Sequence, residues 1–314
     1  MPGTKKWQAA ICLLITLMPA KQLWAQLGAA SLNGPGLGLS VDYLPASRYI
    51  RPEDSVKTTS TTAQQRYNFG ASFLLGQHID TATKKVRTWT LNAGGSYTKL
   101  TNKDYDAAHQ VFPDELLDAQ VTLLHYRSLR NPKWGLAGIV SVGLFTDMKQ
   151  VDQQDIFVTG GLLFIKQHSR RFSYGLGAVL SNTFGTPMIL PAFMVRWQTD
   201  NKFRIDINFP EKLSITTALS SYTDLGLALR MRGASYDVEK HPGNQRLMGY
   251  AELSAGLENT WHLNKHFDFV VAGGSILFND ITFKERKLSE MFAEKPRHRL
   301  ATNLFVSTGF RWKF

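Results

Sequence analysis

From Pro35 onward, hydrophobic and polar residues alternate at period two in segments of about ten residues, separated by Gly, Asn, Pro, Asp and charged clusters. One clear segment sets Tyr67, Phe69, Ala71, Phe73 and Leu75 against Asn68, Gly70, Ser72, Leu74 and Gly76. Successive side chains of a strand point to opposite faces, so each segment has two unlike faces. The pattern predicts β-strands with lipid on one face and water or a polar lumen on the other.

Fourteen segments of the chain fit this pattern, and an even number is typical of single-chain bacterial barrels. The predicted strands are 35–46, 65–77, 86–99, 116–128, 134–146, 155–168, 171–183, 187–199, 202–209, 212–219, 222–236, 246–260, 264–279 and 302–314. The two short segments, 202–209 and 212–219, leave twelve strands as an alternative. We therefore predict an all-β fold, a transmembrane antiparallel up-and-down β-barrel of 12–14 strands.

The connections between these strands sort by length if the first strand starts in the periplasm. The outer connections are then 47–64, 100–115, 147–154, 184–186, 210–211, 237–245 and 280–301. The inner ones are 78–85, 129–133, 169–170, 200–201, 220–221 and 263–264, and most of them are tight. Outer-membrane barrels have short periplasmic turns and longer external loops, so the sorting supports the orientation. The short outer connections at 184–186 and 210–211 indicate either a low rim on one side or an error in the strand count.

Aromatic residues occupy one face of the last strand, which ends with Phe310, Trp312 and Phe314. In a soluble β-sandwich, an exposed stripe of these three residues would be an aggregation hazard. The ending resembles the carboxy-terminal signal that outer-membrane barrels present to their assembly machinery. We predict that the three residues form an assembly signal. Aromatic residues near other strand ends predict two girdles at the headgroup level, comprising Tyr43, Tyr67, Trp89, Tyr126, Trp134, Trp197, Tyr222 and Trp261.

Residues 1–25 have the organisation of a secretory signal peptide. Lys5 and Lys6 precede the apolar run 9–17, which is too short to span the ~30 Å hydrocarbon core of a bilayer. Cys12, the single cysteine, lies inside this run, so the mature chain would have no disulfide. We predict cleavage after Ala25, a barrel domain over 26–314 and a location in the outer membrane.

Composition and charge narrow the class of protein further. Of the 314 residues, 43% are hydrophobic and 19% charged, with 19 Phe and 7 Trp, which excludes a mainly disordered chain. Removing the signal peptide lowers the formal net charge from +11 to +8. No long Lys/Arg run or basic motif interleaved with aromatic residues occurs, so nucleic acid is not expected as a partner. Outer-membrane lipid and lipopolysaccharide are the expected partners for this charge, besides the barrel assembly machinery.

Charged residues within the predicted strands identify the face that lines the lumen. A charge on the lipid face costs about 2–4 kcal/mol near mid-depth, so mid-strand charges are expected to point inward. The inward set is Arg66, Asp118, Arg196, Arg204, Asp206, Asp224, Arg230, Arg232, Glu252, Glu258, Asp268 and Arg311. Because both signs occur, the lumen is either a selective passive pore or a closed interior filled by ion pairs. A pore is the first expectation, and a plugged barrel that acts in surface binding, structure or secretion assembly is the alternative.

Three short segments carry a resemblance to a known family. They are 187–192 (Pro-Met-Ile-Leu-Pro-Ala) with Trp197, 205–210 (Ile-Asp-Ile-Asn-Phe-Pro) and 233–236 (Gly-Ala-Ser-Tyr). The chain is similar there to uncharacterised outer-membrane β-barrel proteins of the Bacteroidota type, a domain of unknown function. The resemblance implies an outer-membrane barrel over roughly 30–314, without a substrate or catalytic residues. A similarity to secretion-system barrels extends to the fold alone.

Motifs for catalysis, metals or cofactors are missing from the sequence. No Gly-x-Ser-x-Gly elbow, His-Glu-x-x-His helix, phosphate loop or Cys-pair metal site occurs. His262 and His266 are four residues apart, but the intervening turn residues favour surface imidazoles over a metal pair. His125 is the one candidate for a lipid hydrolase at the membrane boundary, and no serine partner stands out. We predict a protein that is not an enzyme and holds no cofactor.

Overall fold

The structure, a computed structural model, describes residues 35–106, 111–181, 188–199, 202–239, 245–285 and 295–314. The predicted signal peptide lies outside these residues. The strands are β1 Gly36–Ile50, β2 Lys57–Asp80, β3 Lys85–Lys103, β4 Glu115–Ser128, β5 Trp134–Thr146, β6 Ile156–Gln167, β7 Phe172–Ser181, β8 Met188–Gln198, β9 Phe203–Phe209, β10 Lys212–Ala218, β11 Thr223–Asp237, β12 Leu247–His262, β13 Phe267–Lys284, β14 His298–Leu300 and β15 Asn303–Lys313. One 3₁₀ turn, Gln153–Asp155, precedes β6.

The strands close into a barrel of fourteen wall positions. Each strand from β1 to β13 pairs antiparallel with its neighbours in the chain, and β1 pairs with both β14 and β15. β14 and β15 also share the neighbour β13, so together they form one interrupted wall strand. The register runs from Gly36 opposite Lys313 to Ile50 opposite Arg299. The predicted up-and-down barrel is confirmed, with fourteen strands rather than twelve.

Several strands extend beyond their predicted upper ends, where "upper" denotes the end that bears the long connections. β1 and β2 pair as far as Ile50 opposite Lys57, although 47–64 was predicted as a connection. β13 continues to Lys284 past a bulge at Leu277. The extension of β13 alternates Ile281 and Phe283 with Asp280 and Thr282, a signal that was missed, whereas the extension 57–62 of β2 is Thr-rich and shows no apolar alternation. Thr is nonetheless a good strand former, and the backbone pairing continues.

The outer face of the barrel is apolar. Leu39, Val158, Leu176 and Leu304 are each at least 60% exposed, and similar side chains surround the wall. Exposed Trp89, Trp197 and Tyr222 lie near the lower ends of their strands, as predicted for a girdle. Tyr126 was wrongly assigned to the girdle. Its side chain lies inside the barrel and packs against a buried apolar cluster that includes Leu163 and Met194 and is termed the second apolar cluster.

The wall is low on the side formed by β7 to β10. β9 and β10 have seven residues each, about 23 Å along the strand, which a tilt near 40° reduces to about 18 Å of height. A tight turn at Pro210 and Glu211 joins them, with the Glu211 amide donating to the Asn208 carbonyl at 2.8 Å. The short connection 210–211 therefore marks a low rim and not an error in the strand count. The connection 184–186 lies outside the described residues.

Above Met231, β11 stays paired with β12 and reaches across the upper end of the barrel to β5. Its last residue, Asp237, pairs with Thr146 of β5 in a parallel bridge. Both Ser235 and Tyr236 are buried there, although neighbouring residues of a wall strand face opposite sides. Arg246 fixes this end by ion pairs to Asp237 at 2.5 Å and to Asp152 at 3.5 Å. The upper part of the barrel is thereby narrower than its lower part.

Candidate functional site

The lower half of the lumen holds a charged cavity of about 630 Å³, termed the vestibule, within the size range of small-molecule sites. Seven Lys or Arg and six Asp or Glu side chains line it. The total charge is nearly balanced, so any preference for one sign depends on how the charges are grouped. The charged lining comprises Asp42, Arg196, Arg204, Asp206, Glu211, Lys212, Asp224, Arg230, Arg232, Glu258, Asp268, Arg311 and Lys313.

Two carboxylates of the vestibule, Glu258 on β12 and Asp206 on β9, are contacted by five cations, four from β8 to β11 and Arg311 from β15, while Glu211 and Asp224 are further acidic groups of the lining. Glu258 accepts from Arg230, pairs with Arg311 at 3.2 Å, and lies 3.9 Å from the Lys212 ammonium. On the neighbouring strands, Asp206 is shared by Arg196 at 3.0 Å and Arg204 at 2.9 Å. Five cations thus surround two carboxylates. This local surplus suits a small anion that displaces part of the pairing.

A buried ion network connects four strands at mid-depth. The Arg66 guanidinium pairs with Glu252 at 3.0 Å and lies 3.7 Å from Asp42. It also donates to the Tyr250 hydroxyl at 3.0 Å, and that hydroxyl donates to Glu252. Arg232 extends the network from β11 by donating to Asn68 at 3.0 Å. These contacts hold β11 and β12 against β1 and β2.

A smaller upper cavity of about 140 Å³ lies above this network. Asp118 lines it and accepts from the Ser96 hydroxyl at 2.5 Å and from the Tyr236 hydroxyl at 3.2 Å. Glu211, Arg232 and Gly233 line both the upper cavity and the vestibule. The two cavities therefore meet at the tip of the β9–β10 hairpin and at the adjoining part of β11.

An apolar cluster fills the upper end of the lumen and is termed the mouth cluster. Its buried members are Tyr49, Leu100, Phe112, Leu116, Phe145, Phe157, Ala234, Tyr236, Val238, Leu247, Met248, Tyr250, Ile281, Phe283 and Leu300. Met248 and Ile281 are fully buried, and Tyr49 packs edge-on against Phe112 at 5.9 Å. Burial raises the pKa of Tyr105, at the edge of the cluster, to about 12, so this phenol stays protonated. The cluster separates the upper cavity from the long connections.

The structure places all twelve predicted inward charges in the lumen and divides them among these features. Arg66 and Asp118 line the upper cavity, Arg232 lines both cavities, and Glu252 is buried against Arg66. The other eight line the vestibule: Arg196, Arg204, Asp206, Asp224, Arg230, Glu258, Asp268 and Arg311. Phe310, Trp312 and Phe314 are exposed on the outer face.

Several lumen groups were missed in the sequence. Asp42 alternates with Val41 and Tyr43, so the parity of β1 was a sufficient signal for it. Glu211 was hidden by the assignment of 210–211 to an outer connection, whereas Lys212 begins the predicted strand 212–219 and was left out of the inward set. His262, interpreted as a surface imidazole, lies in the vestibule between Asp268 at 2.8 Å and Asp224 at 3.4 Å. It belongs to the charged lining.

The remaining candidates for chemistry lie apart from the lumen. His125 stacks on Trp89, with ring centroids 4.0 Å apart, and its Nδ1 lies 3.1 Å from the Thr88 carbonyl oxygen. The Nδ1 of His266 lies 3.0 Å from the Lys313 carbonyl oxygen. Within the described ranges, no three His, Cys, Asp or Glu side chains are grouped so that they could hold a metal ion. In the same part of the chain, no helix is long and apolar enough to cross a membrane.

A closed antiparallel barrel with an apolar outer face and a charged lumen defines a membrane-spanning β-barrel protein. By sequence, the chain matches the family Domain of unknown function (DUF6268) over residues 21–313. The protein belongs to this family, which confirms the expected membership of a domain of unknown function. Its Bacteroidota-type origin and its lack of enzymatic activity stay predictions. No curated protein sequence matches the chain.

Three solved structures to which the chain is similar have low sequence identity to it. The translocator domain of the autotransporter NalP from Neisseria meningitidis shares 10% identity, covering 99% of this chain and 98% of that one, with a TM-score of 0.31. The transport unit of AIDA-I from Escherichia coli shares 9% identity, with 98% and 97% coverage and a TM-score of 0.37. A mutant of the monoaromatic hydrocarbon channel TodX shares 7%, with 89% and 90% coverage and a TM-score of 0.36. At these values the likenesses carry no argument about function.

Proposed function

We propose that the protein is an outer-membrane passive channel for small anionic solutes, with the vestibule as the part of the lumen that selects them. The observation that supports this proposal is the group of five cations around Asp206 and Glu258 in a cavity large enough for a small molecule. A lumen lined by fixed cations concentrates anions and repels cations. The solute enters this group by replacing ion pairs that hold the lining in its resting arrangement.

The location that we propose for this barrel is the outer membrane. The apolar belt and aromatic strand ends of the barrel fit a bilayer. Exposed basic side chains at the upper end, such as Lys57, Lys149 and Arg297, suit contact with the phosphate groups of lipopolysaccharide. We assign the upper end to the cell exterior and the lower end, with Pro35 and Phe314, to the periplasm.

Neutralising two vestibule cations tests the channel directly. In the double variant R230Q/R311Q, we expect the reversal potential in an asymmetric KCl gradient to shift toward cation selectivity, because Glu258 then loses two of its three cationic neighbours. The measurement is made on refolded protein in a planar bilayer. Heat-modifiable gel mobility shows that each variant is folded.

The matched control for this pair is R51Q/R297Q. Arg51 and Arg297 are exposed near the upper end and lie outside the vestibule, and their replacement makes the same change in net charge. We expect the control to keep the wild-type reversal potential. An equal shift in both double variants would place the selectivity in surface charge and would contradict the channel proposal.

The aromatic carboxyl end is proposed to act in assembly. Phe314 stacks on Phe73 at 6.0 Å and edge-on against Trp312 at 5.1 Å, and its amide donates to the Pro35 carbonyl. Deleting Phe314 is expected to lower the amount of barrel in the outer membrane of cells severalfold, because the assembly machinery loses its recognition element. Refolding of the same variant into detergent should be nearly unchanged. Equal losses in both assays would show a structural role instead.

A second function is favoured by one observation, the mouth cluster. A barrel whose upper end is filled by buried aromatic and aliphatic side chains suits a surface platform for binding, structure or secretion assembly. Folded protein that is electrically silent in the bilayer would support this platform and would contradict the channel.

A further inference from the structure

The barrel wall is interrupted at one place among the described residues, above the hairpin of β9 and β10. β9 pairs with β8 only up to Phe193, and β10 pairs with β11 only up to Arg230. Residues 188–192 of β8 and 231–236 of β11 therefore have a strand neighbour on one side alone. This interval is termed the wall gap.

The β8 edge of the wall gap offers few hydrogen-bond donors. The Gln198 amide donates to the Arg171 carbonyl at 2.8 Å, on the β7 side. Antiparallel pairing alternates, so the odd-numbered residues of β8 direct their backbone groups away from β7. Pro191 is one of them and has no N–H to leave unsatisfied in lipid. The edge is thus suited to remain unpaired at bilayer depth.

The outer border of the wall gap is apolar. Ile189 is 77% exposed, more than any other apolar residue of β8, and Phe193 stacks on Phe209 with ring centroids 4.8 Å apart. These side chains continue the lipid-facing belt of β7, where Leu176 is 65% exposed. The wall gap therefore lies at the depth of the acyl chains.

The inner border of the wall gap lies where the two cavities meet. Glu211 and Gly233 line both cavities beside it, and Arg232 projects from the same stretch of β11. The Nη1 atom of Arg232 is buried and has no hydrogen-bond partner in the described part of the chain. Its ion pair with Asp42 is 3.8 Å long, which leaves this donor available to an anion.

The three segments in which the sequence resembles the outer-membrane barrel family lie around the wall gap. Residues 188–192, the described part of the first segment, form the β8 edge. The second segment, 205–210, leads to the tip of the hairpin, and the third, 233–236, lies on the β11 edge. Three separate stretches of the chain thus converge on one interruption of the wall.

We propose that the wall gap is a lateral route by which a single-chain amphiphile with an anionic head group passes between the bilayer and the lumen. This inference rests on the proposed function and names its substrate class. The apolar chain of the ligand would lie against the outer border while the head group reaches Arg232. Because the mouth cluster fills the upper end, such a molecule reaches the upper cavity either from below, through the vestibule, or directly from the bilayer, through the wall gap.

Photolabelling in vesicles tests the route. The full-length protein in phosphatidylcholine vesicles is illuminated with dodecanoic acid that carries a diazirine next to its carboxyl group, and labelled residues are mapped by mass spectrometry. We expect label at Thr159 and Ser181 of the upper cavity, besides the lipid-facing belt. A dodecyl trimethylammonium probe with the same diazirine is expected to label the belt alone.

Two variants and a matched control sharpen the test. Arg232→Gln should lower the cavity label about tenfold, the loss expected for one charge-assisted hydrogen bond, and leave the belt label unchanged. Gly233→Phe places bulk at the wall gap and should also abolish the cavity label. Leu229→Phe adds bulk to the outer face of β11 below the wall gap, where Leu213 pairs with it, and should behave as wild type. The comparison of the two probes on the wild-type protein stands even if a variant does not fold.

The outcomes separate the two proposals. Label that dodecanoic acid leaves in the vestibule, at Thr216, but not in the upper cavity would overturn the lateral route and leave the anion channel standing. Label confined to the belt for both probes would overturn the lateral route, and the reversal potential of R230Q/R311Q then decides the channel alone. Equal labelling of the upper cavity by both probes would contradict the proposed preference for an anionic head group.

Discussion

Replacing Glu252 by leucine is expected to lower the free energy of unfolding by about 3–5 kcal/mol, the cost of removing one partner from a buried ion pair. The Arg66 guanidinium and the Glu252 carboxylate are 4% and 6% exposed and lie 3.0 Å apart. Without the carboxylate, Arg66 retains Asp42 at 3.7 Å and the Tyr250 hydroxyl, which do not fully replace it. Urea unfolding from phospholipid vesicles, followed by tryptophan fluorescence, measures the change.

The double variant R66M/E252L is the informative control. Removing both charges leaves no buried ion without a partner, so most of the lost stability should return, as it does when buried ion pairs are replaced by apolar residues. The two single variants and the double variant form a thermodynamic cycle. If the double variant is as unstable as the sum of the single variants, the pair contributes no coupling and the network does not hold β12 against β2.

The faces of the strands could be predicted from the sequence because a charged side chain at the depth of the bilayer is tolerated only when it points into the lumen. Arg204 and Asp206 alternate with Phe203 and Ile205, and this parity is enough to place both charges in the lumen. Asp42 obeys the same rule, so its omission was avoidable. The upper part of β2 escaped prediction because, above the lipid, nothing requires an apolar outer face, whereas in β13 the alternation of Ile281 and Phe283 with polar residues was overlooked.

The depth of a side chain along the barrel axis, and its contacts on the far side of the lumen, could not be predicted in this way. Alternation gives the face of Tyr126 but not the apolar neighbours that keep it out of the girdle. The crossing of β11 depends on the bridge from Asp237 to Thr146, which are ninety-one positions apart in sequence. The same holds for the mouth cluster, whose members come from the ends of many strands. Such contacts follow from the shape of the closed barrel rather than from any local pattern.

The mouth cluster leads to the prediction with the largest expected effect on transport. Truncating two of its members, in the double variant M248A/F283A, is expected to raise the single-channel conductance about tenfold, because an unfilled lumen of fourteen strands holds water. Met248 is fully buried and Phe283 is 4% exposed, so both side chains occupy space between the upper cavity and the exterior. Planar-bilayer recording of the refolded variant measures the conductance, with gel mobility as the test of folding.

The matched control truncates the second apolar cluster, in the double variant L163A/M194A. Leu163 and Met194 are as deeply buried, at 5% and 6% exposure, but they pack against the β5 to β8 wall in the lower half of the lumen. Each pair of truncations should cost several kcal/mol of stability, so a rise in conductance from general loosening would occur in both variants. A rise confined to M248A/F283A shows that the mouth cluster is the barrier at the upper end. If neither variant conducts more than the wild-type protein, the mouth cluster is not the barrier, and the buried ion network around Arg66 at mid-depth is the next constriction to test.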